Sequence, residues 1–270
     1  MKKGLGLLML WLVVAPAAHA GPWAMGKGHV YVKASYQYLN STTLAQPDGT
    51  RFTIPTFLQK NADLFVGYGL TDTLTIYADV PFLRSSDLED FEKVTGFGDL
   101  RFEVQAQLGA KGAWVFAVRG LAQAPTGDEN AGEGILPTGS GVWEGAGVLG
   151  AGRSFARGRG YGFVELGYQY RGGGLRDGLL YNCQLGWNVG THLVVTANFR
   201  GVEPFSKAPR DTPIGSPVGV SDRVTYAVYG PTAIVKLTRA WSLQLDVEGA
   251  FNERNIATGT MLRGGVVFAR

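Results

Sequence analysis

From Asp99 to Leu108 the chain reads DLRFEVQAQL. Leu100, Phe102, Val104, Ala106 and Leu108 alternate with Asp99, Arg101, Glu103, Gln105 and Gln107. A period of two sends successive side chains to opposite faces of a strand, so this segment carries one greasy face and one wet face. The same alternation returns in Val30–Tyr38, Ala62–Tyr68, Leu74–Phe82, Val164–Tyr170, Leu179–Trp187, Leu193–Phe199, Trp241–Val247 and Leu262–Phe268. It is weaker around Trp114–Val118, Trp143–Leu149 and residues 222–237. About twelve strands of roughly ten residues result, the length a tilted strand needs to cross a bilayer. Within 222–237 the Gly230-Pro231 pair breaks the pattern and reads as a bulge.

Alternation alone fits a soluble sandwich, greasy face inward, as well as a membrane barrel, greasy face outward. The connections separate the two. Tight turns are expected at 71–72, 110–112, 156–159, 190–191 and 238–240, and longer polar loops at 40–58, 83–96, 126–140, 172–178, 203–221 and 252–258. Short and long take turns throughout, as in an up-and-down outer-membrane barrel with short periplasmic turns and long outer loops. An even strand count places both termini in the periplasm. In that orientation Tyr36, Tyr38, Phe82, Trp143, Tyr168, Tyr170 and Tyr181 ring the outer end, and Tyr68, Trp114, Trp187, Trp241 and Phe268 the periplasmic end. Two aromatic girdles with aliphatic residues between them are what interfacial anchoring requires. The expected fold is therefore all-β: a transmembrane, up-and-down, antiparallel barrel of the outer-membrane type.

The start of the chain agrees. Lys2 and Lys3 precede an apolar run from Leu5 to Val14, and Ala18-His19-Ala20 has the small-x-small form of a cleavage site. We read residues 1–20 as a secretory signal peptide and 21–270 as one barrel domain. With Lys2 and Lys3 set aside from the 25 basic residues, the 23 that remain nearly match the 22 acidic ones, which argues against a nucleic-acid partner. The single cysteine, Cys183, permits no intrachain disulfide and sits on an apolar strand face as a small hydrophobe.

The inward file of each strand is charged. Its acids are Asp63, Asp79, Asp99, Glu103, Glu144, Glu165, Asp246 and Glu248; its bases are Lys33, Arg101, Arg119, Arg171, Arg200 and Arg263. Charges inside a membrane protein are functional candidates unless paired or wet. We take Arg101, Glu103, Arg119, Glu165, Arg200, Asp246, Glu248 and Arg263 as the pore-lining set. The balance of signs argues against strong ion selectivity. Ion pairs that brace and close the lumen are the competing account of the same residues.

Other motifs do not organise a site. Gly145-Ala-Gly147-Val-Leu-Gly150 has the spacing of a dinucleotide loop, but it lies inside a strand with no helix after it. Asp128-x-Asn130-x-Gly132 followed by Glu133 lacks the spacing and final glutamate of a calcium loop. Asp87, Glu89, Asp90 and Glu92 read as a solvated acidic loop. His29 and His192 open strands at the periplasmic rim with no nucleophile motif beside them. We expect no enzyme, no cofactor and no metal centre.

Four segments resemble the outer-membrane family named for the meta-cleavage pathway of phenol degradation: TGFGDLRFEVQAQL from Thr95, APTGD from Ala124, LPTGSGVWEGAGVLGAG from Leu136 and GYGFVELGYQYR from Gly160. The resemblance implies a barrel that passes small solutes, aromatic or hydrophobic ones among them, and it carries no catalytic or binding residues over. Barrels of this kind end on an aromatic residue read by the insertion machinery. This chain ends Val267-Phe268-Ala269-Arg270, so Phe268 would have to serve.

Two functions follow. One is an outer-membrane channel for small solutes, its mouth formed by loops 40–58, 126–140 and 203–221. The other is a non-conducting barrel whose outer loops bind a partner or lipopolysaccharide. The expected partners are outer-membrane lipid and lipopolysaccharide, a small-molecule solute and the barrel-insertion machinery.

Overall fold

The computed structural model describes residues 21–206 and 224–270. The expected signal peptide and most of the 203–221 loop lie outside the described residues. Fourteen strand segments form one antiparallel sheet: β1 (Val30–Ala45), β2 (Arg51–Gly69), β3 (Leu74–Leu88), β4 (Glu92–Gly96), β5 (Leu100–Lys111), β6 (Trp114–Ala124), β7 (Glu144–Phe155), β8 (Gly160–Arg171), β9 (Gly178–Val189), β10 (Leu193–Pro204), β11 (Thr225–Lys236), β12 (Trp241–Arg254), β13 (Ile256–Thr258) and β14 (Met261–Ala269). Both β4 and β5 pair with β3, and both β13 and β14 pair with β1. Each of those pairs of segments is one barrel strand with a short break, so the wall has 12 strands. Because β1 also pairs with β2, the sheet closes on itself. Closure satisfies every strand with a neighbour and leaves no edge, the condition for a sheet to survive in hydrocarbon.

Register carries the alternation round the wall. The ladder sets Phe102 beside Ala78 and Ala122, and Arg101 beside Asp79 and Gln123, so greasy and polar files each stay on one face. The outward file is exposed: Leu149, Leu166 and Leu108 keep 58–66% of their surface. The inward residues Gln105, Glu165, Asp246 and Glu248 are buried. This inverts a soluble protein, and an apolar surface of that extent requires an apolar medium. Trp143, Tyr168 and Tyr170 are exposed at the long-loop end, and Tyr68, Trp114, Trp187 and Trp241 at the short-turn end.

Three connections differ from expectation. Residues 40–58 are chiefly strand, with β1 reaching Ala45 and β2 starting at Arg51; 83–96 and 252–258 are also mostly strand. The hairpins rise beyond the apolar belt, where Ser, Thr and Asn on both faces hide the period of two while still favouring extended backbone. The Gly230-Pro231 bulge is also corrected. The β10–β11 register runs through it unbroken, Gly230 opposite Asn198 and Pro231 opposite Ala197. Pro231 merely lacks the N–H for the next ladder; the shift in β11 falls between Thr225 and Ala227 instead.

Residues 125–143, between β6 and β7, fold over the long-loop end. Leu136 is 1% exposed and packs with Leu44, Phe57 and Ala257. The Asp99 carboxylate, in the break between β4 and β5, accepts the backbone N–H groups of Gly127 (3.0 Å) and Ser140 (2.6 Å). Asp99→Ala leaves both donors orphaned, at a cost of about 1–3 kcal/mol. We expect the barrel to stay folded while a glutamyl endopeptidase cuts the loop at Glu129 or Glu133, read as two fragments by mass; full protection would rule out Asp99 as the anchor.

Candidate functional site

Below the loop the lumen holds a polar chamber of about 530 Å³. Lys33, Asp63, Asp79, Arg84, Arg101 and Arg263 face it, with the Phe65 and Tyr226 rings. Three ion-pair groups cross-brace its wall. Arg119 lies between Glu165 (2.8 Å) and Glu103 (3.4 Å), and Asn182 donates a further 2.8 Å bond to Glu165. Arg171 and Gln169 share Glu144, at 3.1 and 2.8 Å. Arg200 holds Glu248 in a fork, with bonds of 2.5 and 2.7 Å. Such two-point pairing fixes both orientation and charge.

The remaining cations are held differently. Arg263 donates to Gln37 (2.6 Å), Arg101 to Gln123 (3.0 Å), and Arg84 to the Thr138 carbonyl at 3.5 Å. The Nε–H groups of Arg84, Arg101 and Arg263 have no protein acceptor. Asp246 accepts from Thr232 (2.5 Å) and Gln244 (3.0 Å), opposite Arg263 in the ladder. Among the described residues, no group of three or more His, Cys, Asp or Glu side chains could hold a metal ion. His29 and His192 are exposed at the short-turn end, and His192 Nδ1 lies 2.7 Å from the Thr191 hydroxyl.

The opposite end of the lumen is filled by the residues before β1. Gly21 to Met25 run inside the wall, Pro22 fully buried and Met25 7% exposed. Trp23 sits edge-on to Tyr161 and Phe163, with ring centres 5.9 and 6.3 Å away. Met25 packs against Tyr31, Tyr77 and Val267. Wall side chains tie down the backbone: Ala24 N–H to Gln107 Oε1 (3.0 Å), Met25 N–H to Thr75 Oγ1 (3.1 Å), and Gln105 Nε2 to the Trp23 carbonyl (3.1 Å). The wall is shaped for this segment. A Cβ on Gly69 would stand 1.8 Å from the Gly26 carbonyl oxygen, and one on Gly152 would stand 2.6 Å from the Trp23 ring.

A closed barrel with a charged chamber and an internal N-terminal plug is the frame for comparison. The sequence profile of the family described as "Putative MetA-pathway of phenol degradation" matches residues 21–263. The chain belongs to that family. No curated protein matches its sequence. Among solved structures, the COG4313 outer membrane channel from Pseudomonas putida F1 superposes with a TM-score of 0.70 at 16% identity, over 92% of this chain and 98% of that one. The KdgM porin gives 0.55 at 7% identity, over 88% and 98%. The NanC porin gives 0.53 at 10%, over the same shares. At these identities the likeness is one of fold, that of the 12-stranded outer-membrane-type barrel.

For this member of the family, the eight side chains of the expected pore-lining set fall into two kinds of pairing. They are split between cross-braces (Glu103, Arg119, Glu165, Arg200, Glu248) and groups bonded to neutral partners (Arg101, Asp246, Arg263). Two features escaped the sequence. Arg84 reaches the chamber because the register shifts between Ala62 and Leu64, which reverses the facing of later β3 residues. The plug escaped because GPWAMGKGH has no periodicity. A signal was nonetheless present: the inward residues Tyr31, Phe65, Tyr77, Tyr161, Phe163, Val194, Ile234 and Val267 are apolar, and all lie toward one end.

Proposed function

We propose that this protein is a bacterial outer-membrane channel for small solutes, with its termini and plug facing the periplasm and its long hairpins facing outward. The observation that carries the reading is the polar chamber within a closed wall. Its orphaned guanidinium N–H groups are donors that water or a solute must satisfy. Its size lies in the range of small-molecule sites. The family's name and the ring faces of Phe65 and Tyr226 beside arginines favour aromatic solutes, carboxylates included. Arg101, Arg200 and Arg263 are the lining groups a solute meets, with Glu103, Arg119, Glu165 and Glu248 bracing the wall and Asp246 buried against Thr232 and Gln244.

The plug, the braces and the folded-over loop also favour a second reading, a barrel kept shut whose outer surface does the work. Its acidic hairpin tips would meet lipopolysaccharide through bridging cations. In both readings Phe268, its ring tilted against Trp241 with centres 5.0 Å apart near the chain end, is the aromatic offered to the insertion machinery.

Conductance separates the two. The refolded mature protein in a planar bilayer is expected to give small discrete steps that benzoate or phenylacetate interrupts. A correctly folded barrel that stays silent across the voltage range would refute the channel.

A further inference from the structure

Charge is divided along the barrel axis. Asp48, Asp87, Glu89, Asp90, Asp128 and Glu129 crowd the long-loop end. The short-turn end carries Lys111, Arg153, Arg157, Arg159, Arg239 and Arg270, all exposed. Apart from the terminal carboxylate, the acid at that end among the described residues is Asp72, whose Oδ1 already accepts the Lys27 N–H at 3.1 Å.

Two of these arginines are held at a fixed height. Arg153 lies over the Trp114 ring, 5.6 Å from its centre, and Arg159 over Trp187 at 5.7 Å. Both rings belong to the aromatic girdle, so cation–π contact keeps the guanidinium groups at headgroup level rather than out in water. Beside them the outer wall has a recess of about 520 Å³ across β7 to β10. Small residues make its floor (Ala151, Gly162, Cys183, Ala197), larger ones its sides (Phe155, Val164, Leu185, Phe199), and Arg153 and Trp114 close one end. The ladder confirms the continuity: Arg153 stands opposite Gly162, Gly162 opposite Leu185, and Leu185 opposite Ala197.

We propose that this recess and the three arginines at the turn end of the β7–β8 hairpin seat one anionic glycerophospholipid. An acyl chain lies in the recess, and the phosphodiester is held by Arg153, Arg157 and Arg159. Charge complementarity chooses the occupant: the site offers three cations and no local acid to a ligand with one long apolar chain and one anionic head. Each basic residue near an anionic surface adds roughly five-fold in binding. The assignment to the phospholipid leaflet rests on the orientation proposed above, but not on the barrel being a channel.

The test uses the refolded mature barrel in vesicles of equal phosphatidylglycerol and phosphatidylcholine, extracted in mild detergent, with retained lipid counted by native mass spectrometry. The wild type is expected to keep phosphatidylglycerol over phosphatidylcholine by on the order of ten-fold. Arg153→Gln/Arg157→Gln/Arg159→Gln should abolish the preference. Ala197→Phe, which fills the recess from the outer face, should lower retained phosphatidylglycerol several-fold. The heat-dependent gel shift of a folded barrel is the control for both variants. Equal retention by the wild type, an unchanged preference in the arginine variant, or unchanged retention in Ala197→Phe overturns the site. So does retention of lipopolysaccharide ahead of phosphatidylglycerol when both are offered. A barrel that is silent in conductance but keeps phosphatidylglycerol would sink the channel reading and leave the lipid seat standing.

Discussion

A chain that begins at Lys27 is expected to conduct several-fold more than one that begins at Gly21. The six residues removed fill the short-turn end of the lumen, yet none contributes a rung to the sheet. The bonds of Ala24, Met25 and the Trp23 carbonyl go to side chains of Gln107, Thr75 and Gln105, and the first ladder contacts begin beyond them, with Gly28 N–H bonding the Gly69 carbonyl at 2.8 Å. Closure of β1 onto β14 runs from Val30 and Arg270, which exchange bonds of 2.8 and 3.0 Å, up to Leu39 opposite Met261, and uses none of the removed residues. Removing the plug therefore opens a path without unzipping the wall. Stability should still fall, by about 3–5 kcal/mol, because buried apolar packing at Met25 and around Trp23 is lost. Trp23→Ala should fall between the two in both conductance and stability. Single-channel recording together with the urea midpoint measures the pair of effects. Equal conductance in the intact and shortened chains would mean that the segment is not the barrier.

What could be read in the sequence follows from what repeats. Strand number, facing and the girdles depend on a period-two signal renewed across the wall, and each strand's register is pinned by its neighbours. The extended hairpins were invisible because above the apolar belt both faces meet water, so Asn40–Thr43 and Arg84–Leu88 lose the contrast that marks a strand while keeping its backbone. Arg84 shows the cost of one inserted residue: a single shift of register sends later side chains to the other face. The plug is a different failure. Its burial is decided mostly by strands far along the sequence, from Thr75 to Val267, and nothing local distinguishes GPWAM from an ordinary lead-in. Inward aromatics at one end only were the trace it left, because a water-filled barrel has no use for a dry end. Among the charged residues, their facing could be read but their pairing could not, since partners such as Arg119 and Glu165, or Arg200 and Glu248, come from strands that are not adjacent.

That difference in pairing separates Arg119 from Arg101, two inward arginines that look alike in the sequence. Arg119→Ala strips the cation from Glu165 and Glu103, carboxylates whose side chains are 4% and 12% exposed. Breaking a buried pair on one side leaves an uncompensated charge, which costs about 3–5 kcal/mol. With a quarter of Arg119 still open to the lumen, the lower end is expected, about 3 kcal/mol. Replacing both partners as well, in Arg119→Met/Glu103→Gln/Glu165→Gln, should recover most of that loss, because the orphaned charge goes with its partner. Arg101 makes no ion pair of that kind among the described residues: its hydrogen bond is to neutral Gln123. Arg101→Ala should cost no more than about 0.5 kcal/mol and instead change conductance and the block by aromatic acids. Urea unfolding and single-channel recording on the same preparations distinguish the roles. A stable Arg119→Ala barrel would deny the brace. Unchanged conductance and block in Arg101→Ala would remove it from the lining and leave the chamber's chemistry to Arg84, Arg200 and Arg263.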